Sequence, residues 1–250
     1  MTAKRSLLRF FCFYHGDVKK FLKLLIGLVL LPFCWATSRT VYFLLVSTSP
    51  DVSGGWALPA GFVVSVLGFF LLPRAFRTYV LGHELSHALA GLLTGAKVGR
   101  MKVGREGGHV ELSKSNFFIS LAPYFFPFYT ALVIALWYGI GFFRDVSAFE
   151  PFWLGLVGLT WGFHITFTVY MLSQHQPDVQ QNGRVFSYVI VYLANLFLVA
   201  VWMILLGGMT FIGSWNILCT ETEAVYGTVI SAAMSGWVFL RDLFFQKNSK

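Results

Sequence analysis

The chain has 250 residues, of which 56% are hydrophobic, 18% aromatic and only 12% charged, with a mean hydropathy of +0.68. A soluble domain is nearer half apolar with about a quarter of its residues charged, so this is the composition of an all-α integral membrane protein, with room for about six spanning helices and no separate soluble domain. The net charge of +8 falls in short clusters beside apolar runs, as juxtamembrane anchors do and a nucleic-acid surface does not, and Cys12, Cys34 and Cys219 are too dispersed for a disulfide framework or a thiolate metal site.

Along the chain, Lys4, Arg5, Arg9, Lys19, Lys20 and Lys23 precede an apolar run at 21–46. That run lies later and is longer than the core of a signal peptide, and a retained first span is expected. The next apolar stretch, 57–95, is too long for one span and carries Pro73, Arg74 and Arg77 near its middle. Proline interrupts the helical ladder, and arginines in lipid must snorkel or face a wet cavity, so this stretch is expected to be kinked or broken. Gly95 suits the C-terminal cap of a helix, and Ala96 to Leu112 alternates apolar and polar residues around glycines, the pattern of a β-hairpin, cytoplasmic or dipping into the membrane. In that hairpin Glu106, Glu111 and His109 read as surface, as does His15 near the N-terminus.

Further spans are expected at 118–142, bent by Pro123 and Pro127, and at 152–172, 185–207 and 224–241, all within a single membrane domain over 1–250. The aromatic runs from Tyr124 to Tyr129 and from Phe142 to Phe152 read as lipid-facing belts and packing, not as a cofactor box. Six spans put both ends on one side. With the termini cytoplasmic, fifteen of the 19 Lys and Arg fall on the inner face, as the positive-inside rule requires.

The chemistry concentrates in His83-Glu84-Leu85-Ser86-His87. On a helix the two histidines share one face and can reach a single tetrahedral Zn²⁺, while Glu84 is placed to act as general base on a water at the metal. A carboxylate beside lipid is costly without a cation to face, and a metal supplies one.

From this motif onward the chain resembles the site-2 protease family, zinc metalloproteases that cut within membrane-spanning helices. GHELSHALAG (82–91) matches the family's first motif, GGHV (107–110) falls where members have a Gly-Gly-x-Val hairpin, and FISLAPYFFP (118–127) is similar to the start of the next core helix. The likeness covers residues 80 to 185. It implies a third metal ligand from an aspartate ahead of a later helix, for which QPDVQQNG (176–183) offers Asp178; the family's preceding Asn is missing, and Gly183 lies five residues on instead of adjacent. It therefore implies one Zn²⁺ per chain held by His83, His87 and Asp178, peptide hydrolysis with Glu84 as base, and a membrane-protein substrate taken from the bilayer, with selection by a regulatory membrane partner left open. Asp178 is also placed to be a plain helix N-cap, and His164 (in WGFHITF) and His175 remain alternative ligands. Three other readings stand beside this one: a metal-free relative that binds membrane helices without cutting them, a prenyl-protein-type protease, which needs a downstream glutamate ligand, and a transporter, for which intramembrane His and Arg would form a pathway.

Overall fold

The computed structural model describes residues 2–47, 55–104, 107–207 and 210–247, so Asp51, Arg105 and Glu106 lie outside the described residues, as do the side chains before Val18, His15 among them. The chain divides into two compact units, one formed by residues 1–49 with 192–250 and the other by residues 50–191.

In the first unit, helix α1 (Thr2–Ser47) and the C-terminal helix α9 (Phe211–Lys247) pack together with the second part of α8 (Arg184–Gly207). Their cross-links are polar. Tyr226 donates to the Val29 carbonyl at 2.6 Å, the Ser38 and Tyr192 hydroxyls meet at 2.7 Å, and Arg39 pairs with the buried Glu221. Within spans this apolar, such side-chain bonds hold helices together where lipid gives no hydrophobic drive.

The second unit begins with α2 (Ala57–Leu71), which packs on α6 (Glu150–Leu172) along a seam of small residues. Gly61 approaches the Gly155 backbone, and Gly158 and Gly162 approach the Leu58 and Phe62 carbonyls so closely that a Cβ at any of the three would collide with backbone. α2 stops where proline dictates. Leu72, just ahead of Pro73, is extended at φ −111 and ψ 161, as a pre-proline residue prefers, and α3 (Phe76–Leu93) starts a new helix. α3 ends in a Schellman motif: Gly95 at φ 73, its N–H on the Leu92 carbonyl at 2.9 Å, and the Ala96 N–H on the Gly91 carbonyl at 2.7 Å.

Two antiparallel strands follow, β1 (Val98–Val103) and β2 (Gly108–Leu112), with Met101 opposite Val110 and an irregularity between Val98 and Met101. β2 lies against α3. Asn116 caps α4 (Phe117–Phe125) by accepting the Ile119 N–H at 2.9 Å. Phe126 is again extended before Pro127, and α5 (Phe128–Gly141) leaves at 72° to α4. After α6, a loop with the one-turn helix α7 (Pro177–Gln180) leads into α8. Small buried clusters join these elements: Tyr79 and Val80 with Phe167; Ala90 with Ile119 and Ala122; Leu121 and Tyr124 with Val179 and Val191.

Helices and one small hairpin are present as the sequence predicts, but the six full spans expected are not. Among the described residues four helices are long and apolar enough to cross a membrane, Val18–Ser47, Ser147–Leu172, Arg184–Ile204 and Phe211–Asp242, or five if the bent pair α4–α5 counts as one. The stretch 57–95 supplies no further full span. Its apolar part, α2, has 15 residues and is about 22 Å long, short of the ~30 Å hydrocarbon core, because Pro73 ends it. These helices are those of a multi-pass membrane protein; four spans put both termini on one side and five put them on opposite sides.

Candidate metal centre

His83 and His87 lie one turn apart on α3, and the chain after α6 brings Asp178 to them. The Asp178 Oδ2 atom is 3.6 Å from His83 Nε2 and 3.5 Å from His87 Nε2. One ligand atom from each of the three residues lies within 4.8 Å of the others, and among the described residues no other group of His, Cys, Asp and Glu converges in this way.

Local structure explains why Asp178 is there. Gln176, before Pro177, is extended, and Pro177 opens the short helix with Asp178 in its first turn. Val179 then buries itself against Leu121, Tyr124 and Val191. Gln181 donates to Ser120 Oγ at 2.7 Å, Ser187 to the Val179 carbonyl at 3.0 Å, and Asn182 to the Asp178 carbonyl at 3.0 Å. Gly183, at φ 85, lets the chain turn into α8. Asp178 is not the N-cap that the sequence alone allows; Gln176 occupies that position and makes no side-chain cap bond.

Each histidine is held through its other nitrogen. His87 Nδ1 is 2.8 Å from the Ile119 carbonyl, which can only accept, so Nδ1 carries the proton and donates. That carbonyl is available because Pro123, four residues on and inside α4, has no N–H to give it. His83 Nδ1 bonds the Tyr79 hydroxyl at 3.1 Å, and Tyr79 stacks on Phe167 at 4.9 Å between ring centroids. Tyr124, fully buried, lies edge-on to His83 and donates to Asp178 Oδ2 at 3.3 Å.

The donor set fits a metal. With its Nδ1 proton on the Ile119 carbonyl, His87 turns Nε2 towards a carboxylate oxygen, and either a proton on Nε2 or a metal ion between the two atoms satisfies both. The separations of 3.5 and 3.6 Å exceed a hydrogen bond and lie close to the ~3.4 Å between ligand atoms of tetrahedral Zn²⁺ with bonds of about 2.0–2.2 Å. Burial acting alone would raise the Asp178 carboxyl; the two imidazoles outweigh it and hold the group well below the usual carboxylate range. Asp178 is therefore ionised at neutral pH, as a ligand must be.

Glu84, 5% exposed, sits between these ligands in sequence and lines the same cleft, a cavity of about 630 Å³ walled by α3, β2, the start of α4 and the Asp178 loop. The hairpin closes tightly over it. A Cβ at Gly108 would lie 2.6 Å from Glu84 Cγ and 2.7 Å from Val80 Cγ1, so only glycine admits β2 at this distance.

The competing histidines are elsewhere. His164 is buried on α6 beside a cavity of about 20 Å³ bordered by Ser86 and Tyr129, and it is not a member of the converging group. His175 is exposed and 3.4 Å from Arg184. His109 and Glu111 are exposed, as expected of hairpin surface. No glutamate joins the two histidines among the described residues. Arg74 lays its guanidinium over Phe69 and Tyr170, at 5.0 and 4.8 Å from the ring centroids. Of the aromatic runs, Phe142, Phe143 and Phe152 are exposed, whereas Tyr124 packs inside against the triad. Tyr79 and Tyr124 are the site residues that sequence reasoning missed. Tyr79 carries a readable signal, since it precedes His83 by one helical turn.

Comparison with protein-family models, with curated proteins and with solved structures gave no match to this chain.

Proposed function

We propose that the chain is a zinc-dependent endopeptidase of the membrane, hydrolysing peptide bonds in or near the spanning segments of other membrane proteins, as its resemblance to the site-2 proteases implies. The observation that carries the proposal is the convergence of His83, His87 and Asp178 in a cleft that also holds the buried carboxylate of Glu84.

His83 Nε2, His87 Nε2 and Asp178 Oδ2 would hold the metal, three protein ligands of the kinds that catalytic zinc sites use. Zinc there supplies a Lewis acid that polarises the scissile carbonyl and makes water a nucleophile near neutral pH. Glu84 accepts the proton from the attacking water and returns it to the leaving amine. Tyr79 and the Ile119 carbonyl fix the imidazole orientations, and Tyr124 does the same for Asp178. The hairpin wall lies beside the ligands, where an unwound stretch of substrate reaches the cleft.

Zinc per chain in detergent-purified protein, measured beside His83→Ala and Glu84→Gln and together with cleavage of reconstituted membrane substrates, tests the reading. About one zinc, lost with His83→Ala and kept with Glu84→Gln, alongside cleavage that only Glu84→Gln and His83→Ala abolish, is the expected result. Wild-type protein that takes up no zinc on reconstitution would overturn it in favour of a helix-binding relative without hydrolytic chemistry.

A further inference from the structure

A second large cavity, of about 490 Å³, opens between α2, the start of α3, α5 and α6 and shares no lining residue with the cleft at the triad. Its walls are almost wholly apolar, with Val64, Phe69, Leu132, Leu136 and Phe163 among them, and one cation, Arg74, stands at its edge. Arg77 follows in the first turn of α3, a helix N-terminus that no side chain caps and no acidic residue accompanies. Among the described residues neither arginine has an acidic partner. An exposed guanidinium group at the edge of an apolar hollow, with a second exposed arginine three residues on, in a chain built for the bilayer calls for an anion joined to a hydrocarbon.

We propose that this cavity is a phospholipid site: an acyl chain of an anionic phospholipid fills the hollow, and its phosphate pairs with Arg74 and Arg77. A phosphate takes an arginine fork in paired hydrogen bonds, and the stacking of Arg74 on Phe69 and Tyr170 holds that fork at the edge of the cavity. Volume separates this occupant from a substrate helix. A helix about 10–12 Å across fills roughly 430–610 Å³ for every 5.4 Å turn, so a cavity of about 490 Å³ takes only about one turn of helix. A spanning peptide also brings no charge of its own for the arginines. The inference is independent of zinc and of hydrolysis.

The test uses the full chain in phosphatidylcholine vesicles carrying a trace of phosphatidylglycerol with a photoactivatable acyl tail, or the matched phosphatidylcholine probe, with labelled peptides mapped by mass spectrometry. The anionic probe is expected to label the Leu132–Leu136 and Phe163–Phe167 segments and to be displaced by unlabelled phosphatidylglycerol. Arg74→Gln with Arg77→Gln should lower that labelling roughly 30-fold, from about five-fold per arginine, while the exposed face of α9 labels as before. Gly68→Phe, at a position where a Cβ meets only Leu72 at 3.9 Å, fills the cavity without touching the arginines and should block labelling too. Equal labelling by the two probes, labelling indifferent to both arginines, or labelling unchanged in Gly68→Phe would overturn the proposal. Should the double variant fail to fold, each single variant and Gly68→Phe read the same question.

Discussion

Pro123→Ala separates fold stability from metal binding, because the two should move in opposite directions. Proline inside a helix costs about 3 kcal/mol relative to alanine, through a missing hydrogen bond and a ring clash with the carbonyl four residues back. In α4 that carbonyl belongs to Ile119, and it is the one that accepts the His87 Nδ1–H at 2.8 Å. Alanine restores an N–H at position 123 that draws the Ile119 carbonyl back along the helix axis. Stability should rise by roughly 1–3 kcal/mol, discounted from the full propensity because Pro127 still bends the chain two residues after α4 ends. Metal retention should fall. Losing the outer partner of a ligating histidine costs about 10–100-fold in affinity, and since a carbonyl has two lone pairs and can still share one with His87, about 10-fold is expected. Thermal unfolding of the metal-stripped protein reads the first effect, and competition with a fluorescent zinc chelator reads the second. A variant that melts higher and binds zinc as tightly as wild type would refute the argument that the missing amide of Pro123 serves His87.

Four further outcomes follow from the same geometry. Asp178→Asn should lose zinc while His164→Ala keeps it, since only the first belongs to the converging group; the reverse pattern, read by metal analysis, would exchange their roles. Tyr79→Phe keeps the stacking on Phe167 but removes the bond to His83, so zinc should dissociate about 10-fold faster, with an unchanged rate assigning Tyr79 to packing alone. Gly108→Ala puts a methyl 2.6 Å from Glu84 Cγ, where about 3.5–4.0 Å is normal; the hairpin must retreat by about 1 Å, stability should fall by about 1–3 kcal/mol and any peptidase activity by about 100-fold with zinc retained. Gly139→Ala, with open space around its Cβ, is the silent control. Arg39→Met leaves the buried Glu221 unpaired and should destabilise the α1–α9 unit by about 1–3 kcal/mol, a loss that adding Glu221→Met should largely recover in a denaturation cycle.

Features of this chain that rest on local rules were legible before the fold. The i, i+4 histidines, the Gly95 cap, the hairpin after it and the bend at Pro127 all follow from periodicity or from the φ restrictions of proline and glycine, and the structure has each of them. Pro73 carried enough signal to break 57–95 but not to say how short the apolar part would be, because a span's length depends on where helix α2 starts as well as where it stops. Tyr124 was unreadable for another reason. Its neighbours Phe125, Phe126 and Phe128 give it the look of a lipid-facing belt, and only the return of the chain at Val179 and Asp178, more than fifty residues later, encloses it.

The same distinction accounts for Pro123. Its missing amide is visible in the sequence, and so is the carbonyl four residues back that it leaves free, but that the carbonyl is taken by a histidine 32 residues earlier depends on α4 crossing α3 at that level. A local defect has become a long-range restraint: the helix gives up one hydrogen bond, and the imidazole of His87 gains a fixed orientation with Nε2 turned towards Asp178. A proton on Nε2 pairs those two atoms in the metal-free protein, so a metal ion taking its place would release that proton as it binds.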